Sequence, residues 1–86
     1  SIVYRNYSDF QDSTALNRFR HLEQIQDSIK TIEKRLMAER KRFVLQKDSA
    51  EATSLVTSIT EYEQTLKHLK NIVKKLTKEI RRLENK

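Results

Sequence analysis

The side chains of this chain that could transfer protons, attack a substrate or ligate a metal are two histidines, twelve carboxylates and fourteen serines and threonines. His21 and His68 have neither a second histidine nor a carboxylate at metal-ligand spacing, so the expected role for both is simple surface titration. The hydroxyls lack the strained turn and neighbouring base that would activate one of them. There is no cysteine, which excludes disulfide frameworks, zinc–thiolate sites and thiol catalysis. The expectation is a protein that is not an enzyme, holds no metal or other cofactor and takes no small-molecule substrate.

Two other groups of side chains point to binding instead. Residues 1–66 carry ten basic and ten acidic residues, whereas residues 67–86 carry eight basic residues against Glu79 and Glu84. The net charge of +6 therefore belongs to the last twenty residues. Within them Lys67, Lys74, Lys75, Lys78, Arg81 and Arg82 recur at helical spacing and form a candidate polyanion-binding stripe. No aromatic or Asn/Gln cluster is interleaved to stack on or read bases, so such binding would be nonspecific. The plainer reading is a solvated outer face that complements an acidic partner, or charge placed to favour the helix C-terminal dipole. At the other end Tyr4, Tyr7 and Phe10 recur every three residues. They read either as a segment packed across the end of the fold or as an exposed aromatic anchor for a protein partner.

What positions these groups follows from composition. The 86 residues include no glycine and no proline, and 35% are charged. Turn-rich sheets, barrels and phosphate-binding glycine loops need both missing residue types, which leaves long helices or disorder. No apolar run is longer than three residues. No transmembrane helix or signal peptide is visible in that pattern, and membrane association is not expected. An intracellular setting, cytoplasmic or nuclear, is the expectation; Lys34-Arg35 and Arg40-Lys41-Arg42 would suit nuclear import, although helical repeats often produce such runs. The chain opens on Ser1 and reads as a fragment of a larger protein, with one domain at most.

Two heptad arms dominate the pattern. In the second, Leu55, Ile59, Tyr62, Leu66, Leu69, Val73, Leu76, Ile80 and Leu83 alternate spacings of four and three without a miss. That repeat defines a coiled-coil seam, with Ile59 at position a and Tyr62 at d. In the first arm Leu22, Ile25, Ile29, Ile32, Leu36 and Phe43 follow the same rule, with Glu39 interrupting the d row. Leu16 and Phe19 fall off this seam, which implies a shift of phase or a second apolar face. Together with Met37, Val56 and Ile72 they form a spare stripe, a candidate partner surface alongside Tyr4, Tyr7 and Phe10.

The arms do not share a phase, and between Leu45 and Leu55 no large apolar residue occurs. Asp48-Ser49-Ala50-Glu51 sits in that gap and resembles a capping box. An antiparallel pair matches a positions to d positions. A fold point at residue 49, with paired numbers summing to 98, aligns Leu22 with Leu76, Ile25 with Val73, Ile29 with Leu69 and Leu36 with Tyr62. The competing reading is one continuous helix in a parallel dimer, supported by β-branched a residues over leucine d residues. The tail Glu79–Glu84 resembles the coiled-coil trimerisation motif, but that motif requires Arg where Glu79 stands.

The fold predicted is therefore all-α: an aromatic-rich segment at 1–10, helix at 11–47, a turn at 48–50 and helix at 51–86 with a basic outer face. The two helices form an antiparallel coiled-coil hairpin that assembles into a four-helix bundle. The expected function is a protein–protein assembly module, a scaffold or tether acting as a homodimer or on another subunit. The alternative is a helical nucleic-acid-binding module using the basic stripe.

Overall fold

The structure, a computed structural model, describes residues 13–85. They form two helices, α1 (Ser13–Leu45) and α2 (Ser49–Glu84), packed against each other as a helical hairpin. The molecule measures 57 × 18 × 18 Å, and 36 residues of α2 at about 1.5 Å each span nearly that whole length. The continuous helix is overturned, because the chain reverses direction after Leu45.

The reversal falls at Gln46–Asp48, two residues earlier than the expected 48–50, and the helices accordingly run to Leu45 and from Ser49. It is built without glycine and without any left-handed residue among those described. Side-chain acceptors do the work instead. Gln46 N–H donates to the Phe43 carbonyl at 3.2 Å and closes the last turn of α1. The Gln46 Oε1 then accepts from the Lys47 and Asp48 amides, each at 3.1 Å, and bridges the three loop residues. Asp48 takes an extended backbone and accepts from Ala50 N at 2.9 Å and Glu51 N at 3.4 Å, satisfying two of the free amides of the first turn. Only half of the expected capping box forms, since the Asp48 amide goes to Gln46 and the Glu51 carboxylate pairs with Arg42 at 3.1 Å.

Packing is strongest at the open end. Phe19, Leu22, Leu76 and Ile80 form the buried cluster, with Ile25, Ile72 and Val73 packed against it. Leu22 and Ile80 are the most deeply buried large side chains, Ile80 at 0% exposure. Further along, Leu36, Leu55 and Leu66 are buried one by one, while the other seam residues Ile29, Ile32, Ile59, Tyr62, Leu69 and Leu83 are half-buried. Three seam and stripe assignments change. Phe19 and Ile72, expected on a spare face, belong to the core: the run Ala15, Phe19, Leu22, Ile25 contains one extra three-residue step, so α1 shifts phase there and turns Phe19 inward. Phe43, expected in the seam, is 40% exposed, because α1 ends two residues later and leaves little partner helix to cover it.

Ion pairs between the helices report the register independently of the apolar rows. Arg18–Glu79 (2.8 Å), Arg40–Glu63 (3.2 Å) and Arg42–Glu51 (3.1 Å) have residue numbers summing to 97, 103 and 93, scattered about the 98 that the apolar rows select. Arg40 and Glu63 both occupy e positions, and Arg42 and Glu51 both occupy g positions. Pairing e with e and g with g is the arrangement of helices running in opposite directions, one pair on each side of the seam.

Candidate docking face

Each helix keeps its a and d rows for the other, so any further contact must use the flanks. The two flanks differ. On the g side stand Ser28, Arg35, Ser58 and Thr65, mostly small and polar. On the e side an open groove of about 650 Å³ runs between α1 and α2. Buried Leu36 and Leu66 contribute to its floor, Met37 forms part of one wall, and Lys67, Lys70 and Lys74 line the other. The Arg40–Glu63 ion pair lies at the end nearer the turn, and Glu33 adds one more carboxylate.

Beyond the Arg40–Glu63 pair, towards the tip of the hairpin, the same flank carries further apolar residues. Val44 lies seven residues, about 10.5 Å, beyond Met37 on the same heptad position of α1, and Val56 lies seven before Glu63 on α2. Met37 is 60% exposed, Val44 80% and Val56 47%. Leu45 is also exposed but points to the opposite flank by its heptad position. Exposed large apolar residues thus cluster in the half of the hairpin that carries the turn, away from the buried cluster at the open end. Single exposed apolar side chains mean little; here three share one flank, Met37 in the wall of the groove and Val44 and Val56 beyond its end.

Of the spare stripe read from the sequence, Met37 and Val56 reach this face, Phe19 and Ile72 belong to the core and Leu16 is half-buried. Tyr4, Tyr7 and Phe10 lie outside the described residues. Val44 and Lys70 complete the face, and the signal for both was in the sequence: Val44 repeats Met37 after one heptad, and Lys70 stands between Lys67 and Lys74 on the side facing α1. The six residues of the basic stripe, Lys67, Lys74, Lys75, Lys78, Arg81 and Arg82, are all exposed, but only Lys67 and Lys74 line the groove. None of the groove lysines makes an ion pair with another described residue.

The hydroxyls at the start of α2 are tied to the backbone of their own helix. Thr53, Thr57 and Thr60 each donate to the carbonyl four residues earlier, at 2.8–3.3 Å. His21 and His68 are both exposed. Among the described residues no three His, Asp or Glu side chains gather as a metal site, and no helix is long and apolar enough to cross a membrane.

The fold and face together define a helical hairpin with one apolar and basic flank. No protein-family model matches the chain, and no curated protein or solved structure matches it.

Proposed function

We propose that the chain is a non-catalytic assembly module: an antiparallel coiled-coil hairpin that serves as a scaffold or tether by docking its e-side flank on another helical element. The observation that carries this reading is the exposed row Met37, Val44 and Val56 beside the groove floored by Leu36 and Leu66. A two-helix seam gives one shared stripe of burial, and small domains of this kind commonly gain stability from a further subunit. Docking of one more helix, or of a second hairpin to make a four-helix bundle, would cover that row.

Photo-crosslinking tests it. A photoreactive amino acid at position 44 is expected to give discrete protein adducts in the cells that make the protein. The same group at Ser28, on the other flank, is expected to give few. No protein adduct from position 44, or equal yields from both positions, refutes the reading.

A second reading rests on the exposure of all six residues of the Lys67–Arg82 stripe. A nucleic-acid-binding module would use them to follow phosphates, with affinity falling steeply as salt rises and lost when Lys67, Lys74, Lys78 and Arg81 are changed to Glu. Absence of binding to duplex or single-stranded oligonucleotides at low salt removes it.

A further inference from the structure

The groove on the e side has a chemistry that selects among occupants. Its lining holds Arg40, Lys67, Lys70 and Lys74 against Glu33 and Glu63, and one acid and one base of that set are already paired with each other at 3.2 Å. What is left is three lysines facing one carboxylate, above a floor of Leu36 and Leu66, with exposed Met37 in the wall and exposed Val44 and Val56 farther along the same flank. Apolar positions and cations thus lie along the same track, with the apolar end towards the turn and the cationic end towards the middle of α2.

We propose that this groove docks an amphipathic helix from a partner protein, one that places an apolar stripe over Leu36, Leu66, Met37, Val44 and Val56 and acidic residues against Lys67, Lys70 and Lys74. The proposal rests on the assembly-module reading and gives it a partner class. A helix laid in a groove anchors through side chains at i, i+4 and i+7. Met37 and Val44, about 10.5 Å apart, match the i to i+7 spacing on such a helix. Charge complementarity sets the partner's sign: like charges brought together across an interface disfavour it, while countercharges steer encounter and fix register. A second copy of this chain would bring its own excess of lysine to the same face. A phosphate backbone would satisfy the lysines but leave Met37, Val44 and Val56 without contacts.

Binding of synthetic helices to the whole chain, followed by fluorescence anisotropy, tests the proposal. The probe is an 18-residue peptide with Leu at i, i+4, i+7 and i+11 and Glu and Ala elsewhere; its control carries Lys in place of every Glu. The acidic peptide is expected to bind at least about tenfold more tightly than the basic one, the size of one or two well-placed interface contacts. Lys67→Glu combined with Lys70→Glu is expected to reverse that preference, Met37→Glu to abolish binding of both, and Ser28→Glu on the opposite flank to change nothing. All four substituted positions are exposed, so far-UV circular dichroism is expected to show unchanged helix content.

Equal affinity for the two peptides, binding that survives Met37→Glu, or no binding at all overturns the proposal. So does a dimer by light scattering that Met37→Glu dissociates, because the face would then belong to a second copy. An oligonucleotide that displaces the acidic peptide without depending on Met37 would overturn it as well. Protein adducts from position 44 without any preference for the acidic peptide would leave the assembly module standing and remove only its acidic partner.

Discussion

Burial is uneven along the hairpin, and that unevenness predicts how substitutions rank. Ile80 is fully buried in the open-end cluster, whereas Val44, near the turn, is 80% exposed. Replacing Ile80 with Ala removes three carbon groups at about 0.8 kcal/mol each. The cavity left among Phe19, Leu22 and Leu76 raises the cost to about 3 kcal/mol. The better helix propensity of Ala returns a few tenths of that. Val44→Ala removes two groups of which only about one fifth was shielded from water. The loss is then about 0.3 kcal/mol, and the propensity gain cancels it. Because a domain of this size can have a total stability of only about 5 kcal/mol, Ile80→Val is the practical companion variant, with a cost of about 1 kcal/mol for one methylene. Urea titrations followed by helical circular dichroism, fitted with a common slope, supply the comparison. The expected order is Ile80→Ala, then Ile80→Val, then Val44→Ala indistinguishable from the parent. If Ile80→Ala costs no more than Val44→Ala, the open-end cluster does not hold the hairpin together and the register drawn from it is wrong.

Two further outcomes follow from the turn and the register. Asp48→Ala is expected to cost about 1 kcal/mol by freeing the Ala50 and Glu51 amides, and Asp48→Asn, which keeps an acceptor, to cost much less; the same titrations measure both. Spin labels at positions 18 and 79, the sites of the Arg18–Glu79 ion pair, are expected to report a separation near the 8–10 Å between packed helix axes plus the label arms, about 15–20 Å in all. The separation should persist when labelled chains are diluted with unlabelled ones, whereas a continuous helix would hold these positions about 90 Å apart.

Much of this was legible in the sequence, for a physical reason. A 3.5-residue repeat that never slips between Leu55 and Leu83 constrains one face of α2 completely, and a fold point at residue 49, inside the apolar gap that holds Asp48, brings the α1 rows onto it. Asp48 as the residue that starts α2 was readable from the same local rule, since its carboxylate reaches two free amides whatever packs elsewhere. The position of the turn was less so. Gln46 ends α1 by accepting from two loop amides, a role that its identity does not announce, because glutamine is equally at home inside a helix. Phe19 falls off the strict heptad, and of the two readings this leaves open, a shift of phase or a second apolar face, the shift of phase holds; Ile72, beside the seam of α2, packs against the cluster that Phe19 helps to form. A single three-residue step rotates every residue before it, so an aromatic that looked spare becomes the lid of the core. The face of the groove was half legible: Met37 and Val56 stood out as apolar residues beside the seam, but that Lys70 joins Lys67 and Lys74 across from them is a consequence of which flank of α2 meets which flank of α1.

Separation of the two ends has a consequence for how binding and folding interact. The deeply buried cluster sits at the open end, where α1 begins and α2 ends, and the exposed apolar row sits at the end closed by the covalent turn. Residues joined by a three-residue loop stay near one another with little loss of loop entropy even when their side chains are poorly packed, whereas residues as far apart in sequence as Phe19 and Ile80 meet only if their contacts offset a large closure cost. Packing is therefore concentrated where the chain itself does least to hold the helices together. The turn end can leave Met37, Val44 and Val56 uncovered without opening the hairpin, and a face that is left uncovered without loss of fold is one that another helix can cover with gain.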